Sequence, residues 1–237
     1  MDSPRNEPPV LPRTRSRGVW WVVAVAAALL FAVPAFLAVR WFLVPLGKDP
    51  TERAQEPTII ASFRTDFRPE NPGAGWRYYW NATGPVGNTN EYVELVWNGT
   101  VYATSKMPIP APPPAHYLRL SHLGGHPGYG PSQSASRGID YEHAVIIAFR
   151  VPEAGRHVLG PSLISRNAGP KGGGVRLQVF VNDRDTGSEV FCRSREGMTF
   201  DRDLGQLSAG DIIYVVIGAG ETDVNDTFEL DFSIGRY

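Results

Sequence analysis

Trp76, Tyr78, Tyr79, Trp80, Tyr92, Trp97 and Tyr102 crowd into one short stretch of the chain. Exposed rings at this density make stacking platforms for sugar rings or anchors for a protein partner. In a strand, Trp76, Tyr78 and Trp80 share one face while Arg77 and Tyr79 share the other, so at least one set can face solvent. Large aromatics also dominate sandwich interiors, so any ring taken singly reads first as core. The contact candidates are Trp76, Trp80, Tyr92, Trp97 and Tyr129; the last lies in a glycine-rich loop, where exposure is most expected.

Acidic loops form the second candidate chemistry. Asp183 and Asp185, Asp201 and Asp203, and Asp223 and Asp226 could offer oxygen ligands to calcium, with Asp183, Asp185, Asp223 and Asp226 foremost. None of these loops has the order of a calcium-binding loop, so turn formation and solvation are the plainer roles, and no resident metal or cofactor is expected. Of His116, His122, His126, His143 and His157, the closest pair sits in HLGGH, whose two glycines break a helical face, and no third ligand follows at a zinc spacing. No G-x-S-x-G, H-E-x-x-H or phosphate-loop pattern occurs. Glu91, Glu94 and Glu142 could pair as acid and base only if the fold brought them together. The chain therefore reads as non-catalytic. N-x-T sequences begin at Asn81, Asn98 and Asn225 and matter only where a host glycosylates them. The single cysteine, Cys192, cannot form an internal disulfide and sits in an alternating segment, where a small buried hydrophobe is the expected role.

The elements that must position these residues are almost all strands. Candidates run over 58–63, 76–80, 92–97, 117–121, 143–151, 157–164, 175–182, 189–193, 212–217 and 228–234, punctuated by Gly, Pro, Asn and Asp. Val175, Leu177, Val179 and Val181 alternate with Arg176, Gln178 and Asn182, with Phe180 as the exception. Phe228, Leu230, Phe232 and Ile234 alternate with Glu229, Asp231 and Ser233. Ala144–Phe149 is apolar on both faces and so belongs at the centre of a sheet. No segment here carries a helical repeat. The spacing predicts an all-β, antiparallel sandwich over 58–237 with an ample core.

Within it, HPGYG at 126–130, AVIIAFRVPEAGRHVLG at 144–160, GGGVRLQVFVND at 172–183, LSAGDIIYVVIGAGE at 207–221 and NDTFELDFSI at 225–234 resemble a bacterial jelly-roll module similar to carbohydrate-binding β-sandwich domains. The resemblance covers most of residues 60–237 and implies a jelly-roll fold, with no common catalytic motif. The loop at Ser165–Gly174 and the proline-rich stretch Met107–Ala115 depart from its usual pattern.

Gly18–Val39 holds no ionisable side chain over 22 residues, long enough to span a bilayer core of about 30 Å. It is too long for the apolar core of a signal peptide, and no clean A-x-A site follows it. Trp20 and Trp21 at one end, and Arg40 and Trp41 at the other, suit the membrane interfaces. The expected organisation is an Arg-rich cytoplasmic tail (1–17), a transmembrane helix (18–44), a proline-punctuated linker (45–57) and a sandwich (58–237) on the periplasmic or extracellular side. From Pro57 onward sixteen basic residues face nineteen acidic ones without a basic run, which argues against nucleic acid as a partner. The functional expectation is a single-pass, membrane-anchored accessory protein whose sandwich binds or braces a partner in a larger membrane complex. The alternative is a tethered lectin-like module that binds a glycan or cell-wall polymer.

Overall fold

The computed structural model describes residues 56–104, 117–167 and 172–237. The expected membrane segment Gly18–Val44, with Trp20, Trp21, Arg40 and Trp41, lies outside the described residues, as does the proline-rich stretch Met107–Ala115. Among the described residues no helix is long and apolar enough to cross a membrane.

Fourteen strands are described: β1 (Thr58–Ser62), β2 (Trp76–Asn81), β3 (Tyr92–Glu94), β4 (Val96–Trp97), β5 (Tyr102–Ala103), β6 (Arg119–Ser121), β7 (Gly124–His126), β8 (Val145–Arg150), β9 (Gly155–Arg166), β10 (Val175–Val181), β11 (Arg184–Cys192), β12 (Arg202–Leu207), β13 (Ile212–Ala219) and β14 (Phe228–Arg236). They form two sheets. The first runs β12-β9-β14-β7-β6-β5-β4, with β1 also on β14; the second runs β11-β10-β13-β8-β2-β3. Every pairing within them is antiparallel. This is a two-sheet β-sandwich, as the strand spacing predicts.

Period-two alternation builds the core. Phe228, Leu230, Phe232 and Ile234 of β14 and Val175, Leu177, Val179 and Val181 of β10 turn inward, joined by Val145, Ile147 and Phe149 of β8 and Val215 and Ile217 of β13. β8 and β13 occupy the middle of the second sheet, which is why Ala144–Phe149 is apolar on both faces. The outward residues Ala144, Ile146 and Ala148 join Phe180, Tyr214 and Val216 in a second apolar cluster on the far side of that sheet. Phe180 breaks the alternation of β10 because its outer face is covered too.

The segment 92–97, expected as one strand, splits into two. Leu95 is buried between β3 in the second sheet and β4 in the first, so the chain changes sheets at that point. β5, β7 and β12 are strands without an alternating apolar signal. In β7 the signal is missing because its glycines serve close approach: at Gly124 (φ +143°) a Cβ would lie 2.1 Å from the Phe228 carbonyl oxygen. Two one-turn helices, α1 (Phe63–Asp66) and α2 (Pro131–Ala135), are additions to the expected all-strand pattern.

Candidate functional site

The outer face of the second sheet carries the site. Strand register aligns Gln178, Val216, Ile146 and Tyr79 in one row, and Phe180, Tyr214 and Ala148 in the next. Arg176 stands opposite Gly218 at one end. The loop after β2 crosses this face. Asn81, fully buried, anchors it: its side-chain amide donates to the carbonyl oxygens of Gly84 (2.8 Å) and Glu142 (2.6 Å), and its Oδ1 accepts from the Ala144 N–H (2.7 Å). With both ends of its amide engaged, Asn81 is not an accessible glycosylation acceptor.

Asn81 also fixes the backbone of Glu142 at the sheet's rim. The Glu142 side chain turns onto the sheet, where its Oε1 accepts from Arg176 Nη2. Only a glycine permits this, because a Cβ at Gly218 would lie 2.3 Å from Glu142 Oε2. The pair is buried unequally: the Glu142 side chain is 6% exposed and that of Arg176 31%. Burial pushes the Glu142 carboxyl above its ordinary range, and the adjacent Arg176 guanidinium draws it part of the way back. Two polar atoms of this pair, Glu142 Oε2 and Arg176 Nε, are buried without a hydrogen-bond partner.

Both residues line a hollow of about 580 Å³, with Pro85, Val86, Tyr141, Gln178 and Phe180, and with Asp140 and Asp185 among its polar lining. The lining is thus partly apolar, and its polar part presents carboxylates, a guanidinium and an amide. Volume and lining match a small-ligand site in which a few polar groups set orientation. Replacing Gly218 by Ala forces the carboxylate off the sheet. The expected outcome is loss of the pair, seen as solvent exposure of Glu142, with a destabilisation of about 1–3 kcal/mol from the polar group left unpartnered; unchanged urea unfolding would contradict this geometry.

The expected contact residues fall elsewhere. Trp76 and Trp80 face the sandwich interior at 1% and 4% exposure. Tyr129 is also buried, a correction to its expected exposure: its carbonyl accepts the His143 N–H (2.8 Å), the Gly128 N–H donates to the His143 carbonyl (2.8 Å), and the Arg137 guanidinium sits 4.1 Å over its ring. Tyr92 is half-buried on the outer apolar cluster, edge-on to Tyr214 (5.6 Å), with its hydroxyl accepting from the Gly87 N–H (2.9 Å). Trp97 is half-buried against Tyr102 (5.2 Å) beside a separate hollow of about 540 Å³.

The acidic loops are taken up by hydrogen bonds and an ion pair of the fold itself. Asp185 Oδ1 caps its own turn at the Gly187 N–H (2.8 Å), and Asp183 is exposed in the same turn. Asp223 accepts from Gln133 Nε2 (2.5 Å), and Asp226 pairs with Arg166 (3.3 Å) and accepts from the Gly174 N–H (3.1 Å). Among the described residues no cluster of three or more His, Cys, Asp or Glu could hold a metal ion. Cys192 is fully buried, its thiol within 3.5 Å of the Ile164 carbonyl oxygen.

Two buried titratable groups make a pH prediction. Burial pushes the Asp226 carboxyl up from 3.8 to about 6, against the pull of the Gly174 N–H and Arg166. Burial pushes His143, enclosed by the rings of Trp80, Tyr129 and Tyr141, down from 6.5 to about 4. Asp226 stabilises the fold fully below about pH 4, and that contribution is lost as pH rises through about 6. His143 stabilises above about pH 6.5, and that contribution is lost as pH falls through about 4. The two therefore oppose each other over one window. In Asp226→Asn the urea midpoint should fall more steeply than in wild type as pH drops from neutral through this window; parallel profiles would contradict the assignment.

No protein-family profile matches the chain, and no curated protein matches it. Among solved structures the chain is similar to the C-terminal CBM6, a carbohydrate-binding module, of LamC, a marine laminarinase from Zobellia galactanivorans. That likeness has a TM-score of 0.27 and 11% sequence identity, covering 52% of this chain and 95% of that one. The sandwich assignment rests on the strand pairing described above.

Proposed function

We propose that the hollow on the outer face of the second sheet is a glycan-binding site, and that the chain is a non-catalytic sugar-binding protein. The observation that carries this reading is the hollow of about 580 Å³ on that face, whose lining combines the apolar Phe180, Val86 and Pro85 with the polar side chains of Gln178, Arg176 and Asp140. Sugar hydroxyls suit such a lining, since each both donates and accepts. The C–H face of the ring would rest on Phe180, Val86 and Pro85.

Gly18–Val44 would tether the protein to a membrane with its N-terminus cytoplasmic and the sandwich on the far side, where a cell-wall or extracellular polysaccharide is within reach. The accessory role in a membrane complex is the second reading. Ile59 and Tyr237, both 47% exposed and lining one hollow of about 600 Å³ beside Pro57, are the surface it would use. The test is a screen of the detergent-solubilised full-length protein against immobilised glycans, with free sugar as competitor. Saturable, competed binding to at least one glycan class is expected; no binding across a broad panel would overturn the glycan reading.

A further inference from the structure

Resting on the glycan reading, we infer that the polymer bound on this face is acidic, and that its carboxylate or sulfate group is held in a second hollow between Arg77 and Arg150. That hollow, of about 210 Å³, opens on the same outer face and is lined by Gly75, Arg77, Tyr79, Ala148, Arg150 and Ile212. Two guanidiniums and a phenol meet there, with no carboxylate in the lining. The first hollow is the reverse, with Asp140, Glu142 and Asp185 against Arg176 alone, so an anionic group is directed to the second. The domain as a whole gives an anion no general attraction, since nineteen acidic residues outnumber sixteen basic ones from Pro57 onward. An anion must be held locally.

The donors are open to solvent and incompletely used. Arg150 is exposed and makes no ion pair among the described residues; its guanidinium has one long hydrogen bond, from Nη1 to the Gly210 carbonyl oxygen (3.4 Å). Arg77, also exposed, is fixed at the rim by the Trp76 carbonyl oxygen (Nη1, 2.7 Å) and by Glu94 (Nε, 3.5 Å), which leaves Nη2 for a ligand. Burial, with Glu94, pushes the half-buried Tyr79 phenol up against the pull of Arg77 and Arg150, so it stays a protonated donor. Guanidinium forks match the paired oxygens of a carboxylate or a sulfate. The two hollows suit one extended ligand. Gln178 of the first and Tyr79 of the second share a register row, three strand spacings or about 14 Å apart, too far for a single sugar ring and within reach of a chain. Tyr92 links them, its ring 6.4 Å from Tyr79 and its hydroxyl on the Gly87 N–H (2.9 Å) beside Val86.

The test titrates the full-length protein in detergent by calorimetry with two matched pairs of oligosaccharides of equal length: a neutral glucan and the same glucan sulfated, and a uronic acid polymer and its methyl ester. The charged member of at least one pair is expected to bind about tenfold tighter than its neutral counterpart, the lower end for hydrogen bonds to a charged group because the hollow is open to solvent. Which pair shows the difference separates sulfate from carboxylate. In Arg77→Gln/Arg150→Gln, whose urea midpoint should stay close to wild type because both side chains are exposed, that advantage should disappear. Equal or tighter binding of both neutral members in wild type would overturn the acidic selectivity and leave the glycan reading intact. A charge advantage that survives the double substitution would also overturn it, because the second hollow would then not be its source. Binding of none of the four would overturn both.

Discussion

Trp76→Ala lowers the unfolding free energy by about 3–5 kcal/mol, the cost of emptying a large aromatic site in a packed core. Trp76 is 1% exposed, with Phe149 at 5.0 Å, Phe232 at 5.7 Å and Phe63 at 6.2 Å between ring centroids. Phe232 in turn stacks on Phe63 (5.5 Å) and meets Phe200 (6.0 Å), so the indole belongs to a network joining both sheets to α1. Its Nε1–H donates to Asp66 Oδ2 (3.3 Å), which also accepts the Ser62 N–H (2.8 Å). The urea midpoint reports the loss. A contact residue would behave in the opposite way, with stability unchanged and binding reduced, so a loss below about 1 kcal/mol would place Trp76 outside the core.

Glu142→Gln weakens glycan binding by about ten- to hundredfold while leaving the fold in place. The substitution keeps the side chain's length and an oxygen able to accept from Arg176. It removes the charge that holds the Arg176 guanidinium at the hollow, and a hydrogen bond to a charged group is worth about 1.5–3 kcal/mol. Calorimetry on the variant measures the change, and far-UV dichroism with the urea midpoint verifies the fold. Wild-type affinity in a folded variant would mean that sugar binds elsewhere, with the hollow beside Trp97 the next place to look.

Much of the architecture was legible in the chain because half-buried strands write their faces into the sequence. β10 and β14 alternate as residues 175–181 and 228–234 do, and the doubly apolar Ala144–Phe149 lies at the sheet's centre. What escaped were elements whose identity is decided by distant backbone. Gly124 and Gly125 carry no strand propensity, yet form β7 because β14 and β6 approach too closely for any side chain. The crossing at Leu95 leaves no mark on the alternation of residues 92–97.

The site was less legible, for the same reason. Glu142 stood out in the sequence only as one scattered carboxylate, and Arg176 and Gln178 only as the polar face of a strand. Glu142 and Arg176 lie 34 residues apart, and what joins them is the β10–β13 register that sets Arg176 opposite Gly218. The aromatic density around residues 76–102 pointed to ring platforms, but Trp76, Tyr78, Trp80 and Tyr102 serve the interior. A buried glutamate beside a sheet glycine is a signal of long-range pairing, and local spacing does not reveal it.

The most direct test of the central claim is a structure of the protein with a sugar from the glycan screen bound to it. The account predicts the ring seated on Phe180 and Val86, with its hydroxyls hydrogen-bonded to the side chains of Gln178 and Arg176. A sugar ordered in any other hollow would contradict it.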